Sequence, residues 1–339
     1  MHLFFEELAT NADTWILLLV TAISIAVLGL SADVLVNNAV NLSVKTGLPK
    51  VIVGATIVSI GTTFPEAVVS VMAAIDGHPD FALGNAVGSI ICDTGLILGI
   101  ACLMSPLKLN MKLVNMQGWV QFGAAVLLVA LCLPYGRLND LFNQSAHLNQ
   151  WAGFLLVALL VVYLIWSVRL ARLVEADSAA EDVRQGIHTL LCVGLLAVAS
   201  AFVIISSIAL IESTKVLAAK AGVSNAVIAA TVVAFGTSLP ELVTAVTAVR
   251  KGHGELAIGN VIGADILNVL FVAGLSAAVT ARGIDADPIF FSLQFPAMLF
   301  ILFCFRVGIK TSTDGYLGRG TGIFLLGTYI IYITITIAN

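Results

Sequence analysis

The sequence predicts an all-α integral membrane protein with ten transmembrane helices, arranged as two inverted five-helix repeats with broken helices at a site near the bilayer midplane. Three observations lead to this fold class: the composition, the number of apolar runs long enough to cross a bilayer, and an internal repeat. Of the 339 residues, 59% are hydrophobic and 11% charged. Soluble domains average about 25% charged residues, so the chain belongs in a membrane.

Charge and cysteine content narrow the range of partners. The net charge is -4 and the sequence has no basic stripe, so nucleic acid is not expected to bind. The five cysteines lie in apolar runs and form no CxxC pair, which predicts small packing residues rather than a redox or metal motif. No prosthetic group is expected.

Ten apolar stretches have about the 20 residues that a helix needs to cross the hydrocarbon core. The predicted spans are 15–40, 48–75, 80–104, 113–134, 150–171, 188–215, 224–249, 255–280, 288–309 and 320–337. Turn residues separate several of them, at Gly47-Leu48-Pro49, Gly77-His78-Pro79 and Gly252-His253-Gly254. The first run has acidic residues and no lysine or arginine before it, which favours a span over a cleaved signal peptide.

One segment of the chain occurs twice. Gly61-Thr62-Thr63-Phe64-Pro65-Glu66 returns as Gly236-Thr237-Ser238-Leu239-Pro240-Glu241, with every matched pair 175 positions apart. At the same spacing, Gly84-Asn85-Ala86-Val87-Gly88-Ser89 returns as Gly259-Asn260-Val261-Ile262-Gly263-Ala264. The chain is therefore predicted to be a duplication.

The duplication predicts the domain organisation. The first repeat is expected at 1–173, with its motif at about 54–100; an acidic cytoplasmic linker follows at 174–187; and the second repeat occupies 188–339, with its motif at about 229–275. Because each half has five spans, the second half must cross the membrane in the opposite direction to the first. Inverted repeats with helices interrupted at matching positions are typical of secondary transporters.

Lysine and arginine predict the orientation, because they concentrate in cytoplasmic loops. With the N-terminus outside, 12 of the 16 basic residues fall on the inner side and 4 on the outer side. Both termini are therefore expected outside the membrane.

Each copy of the repeat places a proline and a glutamate inside an apolar run. A carboxylate at the hydrocarbon centre costs about 2.5–3.5 kcal/mol on insertion scales. Proline cannot donate a helical hydrogen bond, which leaves backbone carbonyls near residues 61 and 236 free. A proline and a glutamate each destabilise a membrane-spanning helix, and their occurrence together usually marks a functional site.

Oxygen-bearing residues surround the two glutamates at helical spacing, because positions four apart share a face. The candidate metal ligands of the first half are Ser59, Thr62, Thr63, Glu66, Ser89 and Asp93. Those of the second half are Ala234, which stands where Ser59 does and offers only its backbone carbonyl, with Thr237, Ser238, Glu241, Asp265 and Asn268. This set contains no sulfur and no imidazole, which predicts Ca²⁺ or Na⁺ rather than zinc or copper.

The paired GTxxPE and GNxxG segments resemble the alpha repeats of the cation/calcium exchanger superfamily, specifically the prokaryotic sodium/calcium exchangers. The resemblance implies a multi-pass protein of a bacterial or archaeal cell membrane, with Glu66 and Glu241 as ligands shared by Ca²⁺ and Na⁺. Asp93 and Asn268 stand where the family has one aspartate and one asparagine. Three departures are Ala264 in place of a serine, and Ile90 and Asp265 in place of asparagines.

The predicted function is exchange of Ca²⁺ for Na⁺ by alternating access, because buried carboxylates demand neutralisation and the same oxygens serve either ion. The first alternative is a proton-coupled calcium exchanger on the same fold. A cation channel would need an open pore. An intramembrane enzyme is not supported, because the sequence contains no HExxH segment and no recognisable nucleophile and base pair. An oligomer is not implied.

Overall fold

The computed structural model describes residues 12–77, 79–136, 142–175, 189–222, 236–312 and 315–338. Ten helices occupy most of these residues, which confirms the predicted fold class. They are α1 (Thr14–Thr46), α2 (Lys50–Ile75), α3 (Pro79–Cys92, continued by Asp93–Ile97 and Leu98–Met104), α4 (Met111–Cys132), α5 (Gln150–Glu175), α6 (Thr189–Lys220), α7 (Leu239–Arg250), α8 (Gly254–Val279), α9 (Phe290–Lys310) and α10 (Arg319–Ala338).

Within the described ranges, nine helices are long and apolar enough to cross a membrane. The exception is α7, because residues 223–235 of the predicted seventh span lie outside the described residues. The predicted linker at 174–187 also falls almost entirely outside them.

The predicted helix ends coincide with glycines in the left-handed region. Gly47 ends α1 with φ 69°, and Gly77 and Gly252 have φ 91° and 77°. A positive φ is readily adopted only by glycine, so these residues allow the chain to reverse between spans. His78 lies outside the described residues.

Among the described residues, four helices contain a π-helical stretch, in which one extra residue loosens the hydrogen-bond ladder. The stretches are Gly54–Val58, Asp93–Ile97, Asn268–Ala273 and Phe290–Gln294. Two of them begin at the matched positions Asp93 and Asn268, so the duplication is preserved in backbone geometry as well as in sequence.

The two proline motifs interrupt their helices differently. Pro65 lies inside a continuous α-helix, Ser59–Ile75, and the irregular stretch of α2 precedes that helix. Pro240 lies in the first turn of α7, where a missing N–H costs nothing. The break in the second copy is therefore the turn at Thr237 and Ser238, just before α7.

Two short antiparallel strand pairs, which the sequence did not predict, connect the two halves. They join β1 (Leu107–Lys108) to β4 (Tyr316–Leu317) and β2 (Ala146–Leu148) to β3 (Ile284–Ala286). Each pair links the loop after the third helix of one half with the loop before the fifth helix of the other. The halves are thus intertwined, and each contributes to both ends of the molecule.

The centre of the molecule is the crossing of α2 and α8. A side chain at Gly259 would place its Cβ 2.2 Å from the carbonyl oxygen of Val51, and one at Gly54 would place it 2.5 Å from that of Leu256. Glycine is therefore required for the close approach, as small residues are in membrane helix packing. Every residue from Leu256 to Leu267 is buried, whereas α10 is mostly exposed at the periphery.

Candidate cation-binding site

The candidate site lies between α2, α3, α7 and α8, which carry one buried carboxylate each. Glu66, Asp93, Glu241 and Asp265 are each 1% exposed. No lysine, arginine or histidine among the described residues forms an ion pair with any of the four. Charged side chains are almost never fully buried without a partner, so this arrangement requires a neutralising cation or proton.

Glu241 is close enough to the other three acidic groups for its negative charge to act on Glu66, Asp93 and Asp265. The hydroxyl of Thr63 donates a hydrogen bond to Glu241 Oε1 at 3.2 Å, which connects α2 to α7. The two glutamates of the repeat therefore come together from opposite halves, as the sequence analysis expected.

Many oxygens at this site have no hydrogen-bond partner among the described residues. They are Glu66 Oε2, both carboxylate oxygens of Asp93, Glu241 Oε2, Asp265 Oδ1, Asn268 Oδ1, and the hydroxyls of Ser89 and Ser238. The large majority of buried side-chain polar atoms in proteins have a hydrogen-bond partner, so a cluster of unpaired acceptors is unusual. Oxygen acceptors without donors are what a hard cation such as Ca²⁺ or Na⁺ binds.

The carboxylates approach one another without forming a compact triad. Among the described residues, no three aspartate, glutamate, histidine or cysteine side chains lie close enough together to hold a metal ion by themselves. The expected carboxylate ligands, Glu66, Glu241 and Asp93, would therefore need hydroxyl and carbonyl oxygens as well. Thr63 and Ser238 lie beside Glu241 and Asp93 respectively, so such oxygens are at hand.

Two asparagines that the sequence analysis did not place at the site lie against its threonines. Thr62 Oγ1 lies 3.5 Å from Asn260 Oδ1, and Thr237 Oγ1 lies 3.4 Å from Asn85 Oδ1. The two contacts are related by the 175-residue spacing, so each half supplies one threonine and one asparagine. The repetition of both asparagines next to glycine in the duplicated segment was the signal for them.

Asp265, whose role the sequence left open, is part of the same buried group. Its Oδ2 accepts hydrogen bonds from Thr94 Oγ1 and from Gln121 Nε2. Gln121 also donates to Thr94, at 3.2 Å. No pattern in the sequence pointed to Thr94 on α3 or to Gln121 on α4, because both meet Asp265 only through the tertiary fold.

The hydroxyl of one candidate ligand, Ser59, bonds within its own helix. Ser59 is fully buried, and its hydroxyl donates to the carbonyl of Thr56 at 3.2 Å, so it turns back towards its own helix. Ala234 lies outside the described residues. Thr62, Thr63, Glu66 and Ser59 all lie on the α-helical part of α2 and are buried.

The fold and the site together define a multi-pass membrane protein with a buried acidic site between inverted halves, which is the architecture of a secondary transporter. The chain matches the family described as sodium/calcium exchanger protein over residues 16–169 and 191–338. It belongs to that family. The expectations of a membrane antiporter, and of a protein that is not an enzyme, are thereby confirmed.

Two named relatives are similar to this chain over most of its length. Inner membrane protein YrbG of Escherichia coli is 34% identical over 94% of this chain and 96% of its own. Sodium/calcium exchanger MaX1 of Methanosarcina acetivorans is 27% identical over 90% of this chain and 93% of its own.

A solved structure shares the fold. The sodium/calcium exchanger from Methanococcus jannaschii superimposes with a TM-score of 0.79 at 23% identity, covering 95% of this chain and 99% of the other. At this identity the likeness concerns the arrangement of the helices.

Proposed function

We propose that this protein exchanges Ca²⁺ for Na⁺ across a bacterial or archaeal cell membrane by alternating access. The observation that carries the proposal is the cluster of buried carboxylate, amide and hydroxyl oxygens that find neither a hydrogen-bond donor nor a basic partner in the part of the chain that the structure describes. The family to which the chain belongs supports the choice of ions.

The proposed ligands have distinct roles. Glu66 and Glu241 bind both kinds of ion, since they are the buried carboxylates of the proline motif that the duplication repeats. Thr62, Thr63, Ser89, Thr237, Ser238, Asn268 and the carbonyl of Ala234 complete the coordination by neutral oxygens, and Asp93 supplies a third carboxylate. Because one set of oxygens serves either ion, Ca²⁺ and Na⁺ compete for it and are carried in opposite directions.

Charge balance couples the two fluxes. An uncompensated carboxylate costs several kcal/mol in a low-dielectric interior, so the helices can rearrange around the site only when bound cations neutralise it. Ca²⁺ on one side and Na⁺ on the other each satisfy this condition, whereas the empty site does not. Asp265 adds a fourth carboxylate to the group, and this addition makes the number of ions exchanged per cycle the quantity to measure.

A proton-coupled calcium exchanger is the second candidate function. The presence of four buried carboxylates favours it, because a proton can neutralise a carboxylate as a sodium ion does. Both candidates share the same Ca²⁺ ligands and differ only in the counter-ion.

Transport of labelled Ca²⁺ into proteoliposomes tests the proposal. A sodium gradient, a potassium gradient and a pH gradient are imposed one at a time on vesicles containing the wild-type protein or the Glu66→Gln variant. Uptake driven by the sodium gradient and lost in the variant is expected. Uptake driven only by the pH gradient would establish the second candidate function, and uptake that ignores all gradients would contradict both.

Counterflow separates a carrier from a channel. Vesicles loaded with unlabelled Ca²⁺ are expected to accumulate labelled Ca²⁺ transiently, because an alternating-access site exchanges one ion for another. A channel would only equilibrate the label. The repeat boundaries at 1–173 and 188–339, and the placement of both termini outside, belong to the same proposal.

A further inference from the structure

A groove of about 990 Å³ lies between α4 and α9, and none of its lining residues belongs to the cation site. The described residues that line it are Met111, Lys112, Asn115, Trp119, Phe122, Phe303, Arg306, Val307, Ile309 and Lys310. Three of these side chains are basic and none is acidic. The groove is therefore a positively charged recess at one end of two neighbouring spans.

Arg306 is the unusual member of this lining. Its side chain is only 9% exposed, although arginines near the ends of spans ordinarily extend towards water. One guanidinium nitrogen donates to the carbonyl of Asn115 and the other to the Asn115 side chain, and the guanidinium lies 4.5 Å from the ring centroid of Trp119. Its Nε has no hydrogen-bond partner among the described residues.

A glycine makes room for this arrangement. A Cβ at Gly118 would lie 2.6 Å from Arg306 Nη1, so any larger residue there would push the guanidinium away from α4. Within the described part of the chain, no carboxylate forms an ion pair with Arg306. The arginine is therefore held in place by neutral groups and a ring face while its charge stays uncompensated.

The surroundings of the groove indicate what kind of anion it accepts. Trp119 is 59% exposed and Phe303 54% exposed, and both face the bilayer beside the basic residues. Arg306 lies one helical turn inside Lys310, or about 6 Å along the axis, so the positive charge extends from the helix end into the depth of the headgroups. Apolar surface for acyl chains thus adjoins a site for a phosphate.

We propose that this groove binds the headgroup of an anionic phospholipid, with Arg306 and Lys310 contacting the phosphate and with Trp119 and Phe303 packing against the acyl chains. Basic pockets between transmembrane helices are suited to anionic lipid headgroups. The charge of the lining and the exposed aromatic rings favour a lipid over a soluble anion, because a soluble anion would make no use of the apolar part.

Native mass spectrometry of the detergent-purified full-length protein tests the proposal, with phosphatidylglycerol and phosphatidylcholine titrated separately. We expect phosphatidylglycerol to be retained in preference to phosphatidylcholine. Replacing one cation, in Lys310→Gln or in Arg306→Gln, is expected to weaken phosphatidylglycerol binding about fivefold. Arg169→Gln is the matched control, because Arg169 is an exposed arginine on α5 that does not line the groove.

A second readout guards against misfolding of the buried variant. Phosphatidylglycerol is expected to raise the melting temperature of the wild-type and Arg169→Gln proteins, and to raise that of Lys310→Gln by less. Lys310 is exposed, so its replacement should fold even if Arg306→Gln does not. Unchanged phosphatidylglycerol binding in Lys310→Gln, equal retention of phosphatidylcholine, or an equal thermal shift with inorganic phosphate alone would overturn the proposal.

Discussion

Glu66 and Glu241 occupy matching places in the duplication but have different surroundings. Glu241 Oε1 accepts a hydrogen bond from Thr63, whereas the hydroxyl of Ser238, which matches Thr63 in the second copy, has no hydrogen-bond partner among the described residues. The two copies of the motif therefore differ at the level of single side chains.

Glu66→Gln and Glu241→Gln are expected to abolish most Ca²⁺ transport. Each removes one charged ligand, and interactions of charged groups are worth about 1.5–3 kcal/mol, which corresponds to a loss of apparent Ca²⁺ affinity of about 10- to 150-fold. Initial rates of Ca²⁺ uptake against Ca²⁺ concentration measure the effect.

Glu255→Gln is the matched control for those two variants, because Glu255 lies in the first turn of α8, outside the cation site. Its Ca²⁺ affinity should equal that of the wild type. An equally large loss in the control would show that the assay reports folding rather than binding.

Asp265→Asn is expected to keep transport and change its ion dependence. The amide can still accept hydrogen bonds from Thr94 or Gln121 through its oxygen, so the local packing should persist while one negative charge is lost. With one charge fewer to neutralise, we expect a lower Hill coefficient for sodium and less charge moved per Ca²⁺. Measuring sodium-dependent uptake and membrane current in proteoliposomes tests this, and unchanged values would place Asp265 outside the coupling.

At the scale of the element, the crossing of α2 and α8 depends on residues that have no side chain. Gly259 packs against the carbonyl of Val51, and Gly263 packs against Ala55 and Ser59. The same crossing brings the ligands of α2 next to those of α8. The contact between α2 and α8 therefore determines both how these helices pack and where the site residues on them lie.

Gly259→Ala is expected to destabilise the protein by about 1–3 kcal/mol, because an added methyl forces two closely packed backbones apart. Gly123→Ala is the control, since a Cβ at that position on α4 meets no atom within 4 Å. Thermal unfolding in detergent should show a lower melting temperature for the first variant only. Equal melting temperatures would mean that the crossing tolerates the added atom.

The loop between α7 and α8 is expected to be sensitive to pH. Burial, and then Lys50 and Lys251, lower the pKa of His253, whose Nδ1 lies 3.5 Å from Lys50 Nζ. Because the folded-state pKa is below the unfolded value of about 6.5, the unfolded state binds the proton first as pH falls through that value. Stability should therefore decline below about pH 6.5 and be unaffected by this group above it.

His253→Asn should reduce that acid-induced decline. His147 is the comparison, since it pairs with Asp285 on a different loop at 2.8 Å. We expect His147→Asn to leave the decline caused by His253 in place. Melting temperatures of the three proteins, measured above and below about pH 6.5, test this prediction. Identical pH profiles for the His253→Asn and wild-type proteins would refute the role assigned to His253.

At the scale of the whole molecule, each half contributes a strand to both ends of the protein. The strand pairs β1–β4 and β2–β3 each join loops from different repeats, and α1 of the first repeat packs along α6 of the second. The site between the halves is therefore enclosed by both of them, as an alternating-access transporter requires.

The orientation in the membrane can be tested with single introduced cysteines. All five native cysteines are buried, so they should contribute little labelling. In intact cells, an impermeant maleimide is expected to label Gly136→Cys, in the loop before α5, and not Lys108→Cys, in β1. Both should react after permeabilisation. The opposite pattern would place the termini inside.

The sequence by itself determined the membrane class, the duplication, the inversion of the halves and the two glutamates. These follow from local quantities: apolar run length, the 175-residue spacing and the cost of burying a carboxylate. It also located the helix ends at Gly47 and Gly252, because only a left-handed conformation suits those turns.

Only the tertiary structure decided which side chains meet at the centre. Thr94, Gln121, Asn85 and Asn260 join the site because helices from both halves cross there, and Asp265 is tied to the first half by two of them. Such contacts connect residues far apart in sequence, and no periodicity or spacing within one helix encodes them. The strand pairs and the basic groove beside Trp119 could not be predicted from the sequence for the same reason, since each is formed by segments of opposite halves.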